Sequence, residues 1–275
     1  MYLTGQFNEK SITADHRVSN EYERMRNHSR LITDDDTIKL SEERSLNLCL
    51  VNIRTLKKHS IDIKMDQTLN KNNLIFFTET QLTSDMDLSS IEMDLPNYYF
   101  QHNCSDNHRF SSLASVNDGN IEINTLQNMN GASLCSLTHS MFESPINIML
   151  LYRQNQMRKE DFLYLIQHLK DQVDSVHIIL GDFNIDYLKP DCEFLRNNLN
   201  NYEMIVEKAT HVSGSLIDQI YIEKSLKDKY NVKSQVKPVY YSDHDAIIVN
   251  IVGKDSKFLT RILFIRIVRL KISQF

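Results

Sequence analysis

The chain has no tryptophan, and glycine and proline are scarce, at six and four of 275 residues. That scarcity excludes collagen-like, linker-like and low-complexity chains. Cysteine is rare too: Cys49, Cys104, Cys135 and Cys192 stand far apart, with no CxxC pair. A structural zinc site needs paired spacing, so four reduced, mostly buried thiols are expected instead. No run of about 18 apolar residues exists, so no membrane partner is expected. The opening stretch MYLTGQFNEK lacks the charged-then-apolar pattern of a secretory leader, which fits an intracellular protein. A positive excess is also missing: 31 Lys and Arg face 36 Asp and Glu, for a net charge of −5. Proteins that coat nucleic acid are usually basic, because phosphate neutralisation dominates their affinity. An enzyme with metal-binding acids and a local basic rim remains compatible with that balance.

Three regions differ in composition. Residues 1–44 are polar and rich in both charge signs, and read as an N-terminal appendage or linker. Residues 45–253 alternate short apolar runs with helix candidates. Residues 254–275 form a basic, apolar tail carrying Arg261, Arg266, Arg269 and Lys271. The tail is a candidate contact for DNA phosphates, or an extra element with snorkelling side chains. In the middle region Leu46–Ile53, Leu74–Thr78, Ile121–Leu126, Ala132–Leu137, Ile146–Tyr152, Val176–Leu180, Leu216–Ile222 and Ala246–Val252 read as strands. Glu160–Gln172 places Phe162, Leu165, Ile166 and Leu169 on one helical face. Ile61–Asn70 and Cys192–Asn201 are weaker helix candidates. Several strand runs are apolar throughout, which predicts burial on both faces and an α/β layered domain. Spacing alone does not separate a doubly wound sheet from a sandwich of two sheets.

Polar motifs stand at the strand ends, where α/β folds build their sites. Gly181-Asp182-Phe183-Asn184 follows the VHIIL run and presents a carboxylate beside a carboxamide. Tyr241-Ser242-Asp243-His244-Asp245 precedes the AIIVNIV run; an Asp next to a His supplies acid, base or metal-ligand functions. Asp218 lies in the apolar stretch LIDQIYI and needs a partner if buried, for which His244 is the natural choice. Asn52 ends the first strand and Glu79 the second. A single carboxylate with waters is a common way to hold Mg²⁺ when a phosphate supplies further ligands. Arg153, beside Tyr152, reads equally as a phosphate contact or as half of a structural salt bridge. His59, His102, His108, His139, His168, His177 and His211 have no matched partner, and most of them are expected on the surface or in loops. The aromatic run Tyr98-Tyr99-Phe100 is read as core packing, or as base stacking in a substrate groove.

The motif order is N-x-R, E-T, Y-R, G-D-F-N, L-I-D and S-D-H. Over residues 46–252 it resembles the endonuclease/exonuclease/phosphatase superfamily of abasic-site endonucleases, DNase I-like nucleases and inositol-phosphate phosphatases. TETQL and SLIDQIYI look most like endonuclease domains of non-long-terminal-repeat retrotransposons and helicase-encoding rolling-circle transposons. The resemblance implies a four-layer α/β sandwich, with two mixed sheets packed face to face and helices outside. It implies Mg²⁺, replaceable by Mn²⁺, held by Glu79 with Asn52 and Asp243. It gives Tyr152 a contact to the scissile phosphate, and gives Asp182 and Asn184 the attacking water and the phosphate. Asp218 would support the catalytic His244, with Asp243 beside it. The implied activity is DNA nicking that leaves a 3′-hydroxyl and a 5′-phosphate. The implied setting is the nucleus, with a helicase or reverse transcriptase module fused or neighbouring. Two alternatives stay open: a phosphoesterase of the same fold acting on RNA, nucleotides or a phospholipid headgroup, and an inactive DNA-binding relic. The sequence departs from the family at Val51, where many members have an aromatic residue. It departs again at Ser111-Ser112-Leu113-Ala114, where mobile-element relatives often carry glycines.

Overall fold

A computed structural model of the chain describes residues 45–82, 91, 95, 99–103, 112–116, 121–129 and 131–254. The alternation of side chains along each strand explains its layers. In β1 (Ser45–Asn52), Leu46, Leu48 and Leu50 point into one core, while Cys49 and Val51 point into another. β2 (Leu74–Thr78) runs parallel to β1 and divides in the same way, with Leu74 and Phe76 on one side and Ile75 and Phe77 on the other. Between them α1 (Leu56–Met65) crosses over and lays Leu56 and Ile63 on the outer core. A crossover helix is what a parallel pair of strands requires.

The second half repeats this plan. β7 (Ile146–Tyr152) and β8 (Ile178–Asp182) are parallel, joined by α2 (Lys159–Lys170). α2 buries Phe162, Leu165, Ile166 and Leu169 against Met149, Leu151 and Ile179, the face expected from its spacing. Around each parallel pair the remaining strands are antiparallel. β12 (Ala246–Gly253) and β11 (Tyr230–Lys237) flank β1, while β4 (Ser112–Val116) and β3 (Tyr99–Asn103) flank β2. β6 (Ala132–Thr138) and β5 (Glu122–Met129) flank β7, while β10 (Asp218–Glu223) and β9 (Tyr202–Met204) flank β8. The two mixed sheets face each other across a core that includes Leu48, Phe76 and Val249 from one, and Leu150, Leu180 and Ile220 from the other. The result is the four-layer sandwich α1, sheet, sheet, α2. Phe76 is fully buried in the central core, and truncating such a ring costs about 3–5 kcal/mol.

Several expectations shift. The helix expected over 61–70 lies instead at Leu56–Met65, followed by a 3₁₀ turn at Leu69–Lys71. The weaker candidate at 192–201 is the short α3 (Glu193–Asn198), and α4 (Lys224–Lys229) leads into β11. β3, β4, β9 and β11 were not legible as apolar runs. β11 alternates buried or half-buried with exposed residues at the edge of its sheet, and β9 has only three residues. Phe100 is half-buried against the outer core, while Tyr98 lies outside the described residues. Cys49, Cys135 and Cys192 are buried free thiols, and Cys104 lies outside the described residues. Among the described residues no helix is long and apolar enough to cross a membrane.

Candidate active site

Each parallel pair ends in polar residues. Asn52 closes β1, Glu79 follows β2, Tyr152 closes β7 and Asp182 closes β8. Antiparallel neighbours bring their opposite ends to the same edge. Asp218, the first residue of β10, lies directly across from Asp182, and the Ser242–Asp245 loop enters β12 beside the end of β1. Asn52 joins the two sheets here: its Nδ2 donates to Oε1 of Glu79 at 2.8 Å and to Oδ2 of Asp182 at 2.9 Å. Ser242 donates from Oγ to the Asn52 carbonyl at 2.7 Å and accepts the His244 N–H at 3.2 Å. The S-D-H motif is thus tied to the end of the first strand.

The Gly-Asp-Phe-Asn motif is shaped by packing. Gly181 lies inside β8, and a Cβ there would stand 1.8 Å from the Leu151 carbonyl oxygen of β7. The glycine therefore answers a lack of room between two strands rather than a sharp turn. Phe183 packs inward, edge-on to Phe162 and stacked on Tyr221. Asn184 is left at the surface of the site. Its backbone N–H donates to Oδ1 of Asp182 at 2.9 Å, and its Nδ2 donates to the Arg153 carbonyl at 2.8 Å. Arg153 is only 7% exposed. Its guanidinium donates to the carbonyls of Asn184, at 3.3 Å, and of Met157. Of its two readings, this geometry favours the structural one, with carbonyls rather than a carboxylate as partners.

The electrostatics are strained. Asp182 and Asp218 are buried and directly opposed on antiparallel strands, a pairing that destabilises a sheet unless a cation lies between. Burial, then the charge of Asp218, pushes the Asp182 carboxyl well above the usual carboxylate range, with His244 and the Asn184 amide pulling it back. His244 donates from Nδ1 to Oδ2 of Asp218 at 2.8 Å. Burial opposes charge on this ring. The Asp218 hydrogen bond and charge, with Asp182 and Asp243, outweigh it and raise the imidazole to about 9. The ring is an imidazolium at neutral pH, with Nε2 turned toward Asp243 at 4.0 Å from Oδ1. Burial, with the charges of Glu79 and Asp182, raises the Tyr152 phenol far above its ordinary value, so it remains a donor.

Backbone strain gathers at the same edge. Among the described residues the non-glycine positions with positive φ are Arg54, Thr55, Glu79, Gln81 and Asn184. Thr55, at φ 110°, is β-branched and has little freedom to adopt that conformation. The turns after β1 and β2 hold each other there. Thr55 N–H donates to the Glu79 carbonyl and Leu56 N–H to the Thr80 carbonyl, each at 2.9 Å. Such conformations cost about 1–3 kcal/mol each and persist where the surroundings fix them.

Asp243 lies at the rim. Its Oδ2 meets Nη1 of Arg54 at 2.7 Å and Nε2 of His211 at 3.3 Å. His211 was expected to be an unpartnered loop residue. Instead its ring stands edge-on to that of His244, with centroids 4.8 Å apart. The available signal was its place in His211-Val212-Ser213-Gly214-Ser215, a tight turn just before a strand that opens on a buried acid. Arg261, Arg266, Arg269 and Lys271 lie outside the described residues.

Two groups among the described residues bring candidate metal-ligand atoms within 4.8 Å of one another: Asp182 with Asp218 and His244, and His211 with Asp243 and His244. Glu79 is in neither and is tied to Asn52. Glu79, Asp182 and Asn52 offer carboxylate and carboxamide oxygens, which suit a hard divalent cation. Burial and the charge of Asp218 hold back ionisation of the Asp182 carboxyl, so an added positive charge at this edge would favour its charged form.

No protein-family model and no curated protein matches the sequence. Solved structures do share the fold. The endonuclease domain of TRAS1, a telomere-specific non-LTR retrotransposon, is 13% identical, with a TM-score of 0.62 over 77% of this chain and 100% of that one. A 3′–5′ exonuclease from Neisseria meningitidis is 12% identical, with a TM-score of 0.56 over 74% of this chain and 98% of the other. An AP endonuclease from Archaeoglobus fulgidus is 12% identical, with a TM-score of 0.55 over 76% and 99%. The chain thus shares the DNase I-like fold of these structures, a sandwich of two mixed sheets flanked by helices.

Proposed function

We propose that the chain is a divalent-metal-dependent phosphodiesterase that nicks DNA, with Mg²⁺ as its ion and Mn²⁺ as a substitute. One observation carries the reading: Asn52 bridges Glu79 and Asp182 at the edge where Asp218 holds a charged His244. Glu79 and Asn52, with Asp243 across the site, would hold the ion, which when bound supplies charge neutralisation at the phosphate and at the leaving oxygen. Asp182 and Asn184 align a water for in-line attack. The imidazolium of His244 donates from Nε2 to a non-bridging phosphate oxygen, where charge grows in the transition state. Tyr152 donates its hydroxyl to the same phosphate. Asp218 keeps the ring charged and oriented. Cleavage on this plan leaves a 3′-hydroxyl and a 5′-phosphate.

A long polyanion as substrate is favoured by the face of α1. Arg54, just before the helix, and Lys57, Lys58 and Lys64 along it are exposed. The helix's one acid, Asp62, is half-buried and bonded to His59 and to Tyr240. From Lys57 to Lys64 the helix rises about 10 Å, enough to meet two or three successive phosphates of one strand. This basic face leads away from the candidate site in a chain of net charge −5. Plasmid nicking tests the proposal. Supercoiled DNA should relax with Mg²⁺, remain intact with a chelator, and remain intact with Glu79→Ala or His244→Ala. Hydrolysis of a small phosphodiester without DNA nicking would overturn the DNA reading.

A further inference from the structure

We infer that His211 is a positioning residue for Asp243, selecting which carboxylate oxygen turns into the site toward His244. The inference rests on the phosphodiesterase reading above and deepens it. A carboxylate has two equivalent oxygens, and its terminal torsion is broad and two-fold. An Asp at the rim of a site therefore does not by itself present one oxygen.

The hydrogen bonds around His211 break that equivalence. Nδ1 of the ring accepts the backbone N–H of Ser213 at 3.1 Å and lies 2.7 Å from its hydroxyl. A backbone N–H can only donate, so Nδ1 carries no proton and Nε2 does. That Nε2–H is the group 3.3 Å from Oδ2 of Asp243. Arg54 also engages Oδ2, at 2.7 Å. Both donors thus take the same oxygen. Oδ1 is buried, has no hydrogen-bond partner, and lies 4.0 Å from Nε2 of His244.

Arg54 alone is a weak guide. Its side chain is 53% exposed, and exposed ion pairs hold geometry poorly. His211 is fixed by the backbone instead. Its N–H donates to the Ser215 carbonyl at 3.1 Å, its carbonyl accepts the Gly214 N–H at 2.9 Å, and the next N–H, of Val212, donates to the Asp243 carbonyl at 3.0 Å. The same turn reaches the His244 dyad, because Oγ1 of Thr210 accepts the backbone N–H of Asp218 at 3.1 Å. The turn that orients Asp243 and the strand that carries Asp218 are therefore tied together through Thr210.

The test compares His211→Leu, which removes the donor, with His211→Gln, whose amide can restore it. In plasmid nicking His211→Leu should lose about 10–100-fold in kcat with KM little changed, and His211→Gln should recover most of the loss. In an Asp243→Ala background His211→Leu should cost nothing further, because no carboxylate remains to orient. A second readout needs neither metal nor activity. In the ¹H–¹⁵N spectrum of the metal-free protein, His211 should show protonated Nε2 and bare Nδ1, and its slowly exchanging Nε2 proton should disappear in Asp243→Ala. Full activity of His211→Leu, or the same loss with and without Asp243, would overturn the inference while leaving the nuclease reading intact. A wild-type protein that nicks nothing would overturn the nuclease reading, and the spectrum would still decide the tautomer. If His211→Leu fails to fold, His211→Gln and the spectrum carry the test: a proton on Nδ1 overturns the inference.

Discussion

Asp218→Asn isolates the part of the site that keeps His244 charged. The imidazole stands at about 9 against an ordinary 6.5, a preference for the charged ring of about 3 kcal/mol, reached although burial works the other way. Asp218 is the largest favourable contributor, through both its hydrogen bond and its charge. Asparagine keeps the shape. Its carbonyl oxygen still accepts the His244 Nδ1–H, and its amide nitrogen takes the place of Oδ1, which has no partner to lose. The backbone bond from Asp218 to Thr210 is untouched. The fold should survive while the ring loses its charge near neutral pH. An oxyanion donor of this kind is worth about 10²–10³ in turnover, and that is the expected loss in Mg²⁺-supported nicking at pH 7. The pH–rate profile gives the sharper reading. Wild-type activity should fall as pH rises through about 9, and in Asp218→Asn the fall should begin well below that. Stability follows the same sign. A ring whose folded pKa is raised contributes fully below 6.5, and the contribution is lost as pH rises through about 9. A variant with wild-type turnover and an unmoved alkaline limb would refute the dyad.

Replacing Lys57, Lys58 and Lys64 by Ala should weaken DNA binding and reduce its salt slope by two to three counterions, at about 0.9 each, while leaving a small chromogenic phosphodiester unaffected; titrations at several salt concentrations measure this. Gly181→Ala should destabilise by more than about 3 kcal/mol, read from the denaturation midpoint or loss of soluble protein, because its Cβ would collide with the Leu151 carbonyl. Added Mg²⁺ should raise the melting temperature, with about 2.7 kcal/mol gained at 100 times its Kd, and Glu79→Ala should abolish the shift. Removing residues 1–44 should leave a folded, active domain, since Arg44–Lys254 is one compact unit. Loss of soluble protein on that deletion would place the domain boundary elsewhere.

The strands that build the three cores were legible because both of their faces are apolar. LNLCLVNI and INIMLLY can be buried on both sides and nowhere else. Edge strands carried no such signal: in β11, Asn231, Lys233 and Gln235 face solvent, and the pattern weakens to one of a loop. At the site, the polar residues that end buried strands stood out, because Asn52, Asp182 and Asp218 follow or interrupt runs that tolerate no unpaired charge. His211 did not stand out. Its role depends on a turn folding back on Asp243, 32 residues away, and HVSGS signals the turn but not the contact. The basic face of α1 was hidden for a related reason. The helix begins five residues before the apolar pattern suggests, and only that start brings Lys57 onto one face with Lys64.

The site gathers what the rest of the fold avoids. Opposed aspartates, positive-φ residues and unpartnered polar atoms on Asp218 and Asp243 all stand at one edge. Each would be disfavoured in isolation, and the scaffold holds them because their backbone anchors are the ends of its most buried strands. Asn52 and Asp182 terminate runs whose apolar side chains fill both cores, so neither can retreat without opening one. The hydrogen bond from Asn52 to Asp182 crosses between the sheets where the two parallel pairs end side by side. A change in how the sheets pack would therefore move Glu79 relative to Asp182 before it disturbed either sheet internally. Core substitutions such as Phe76→Leu should on this view depress activity as well as stability, read from the nicking rate and the melting temperature.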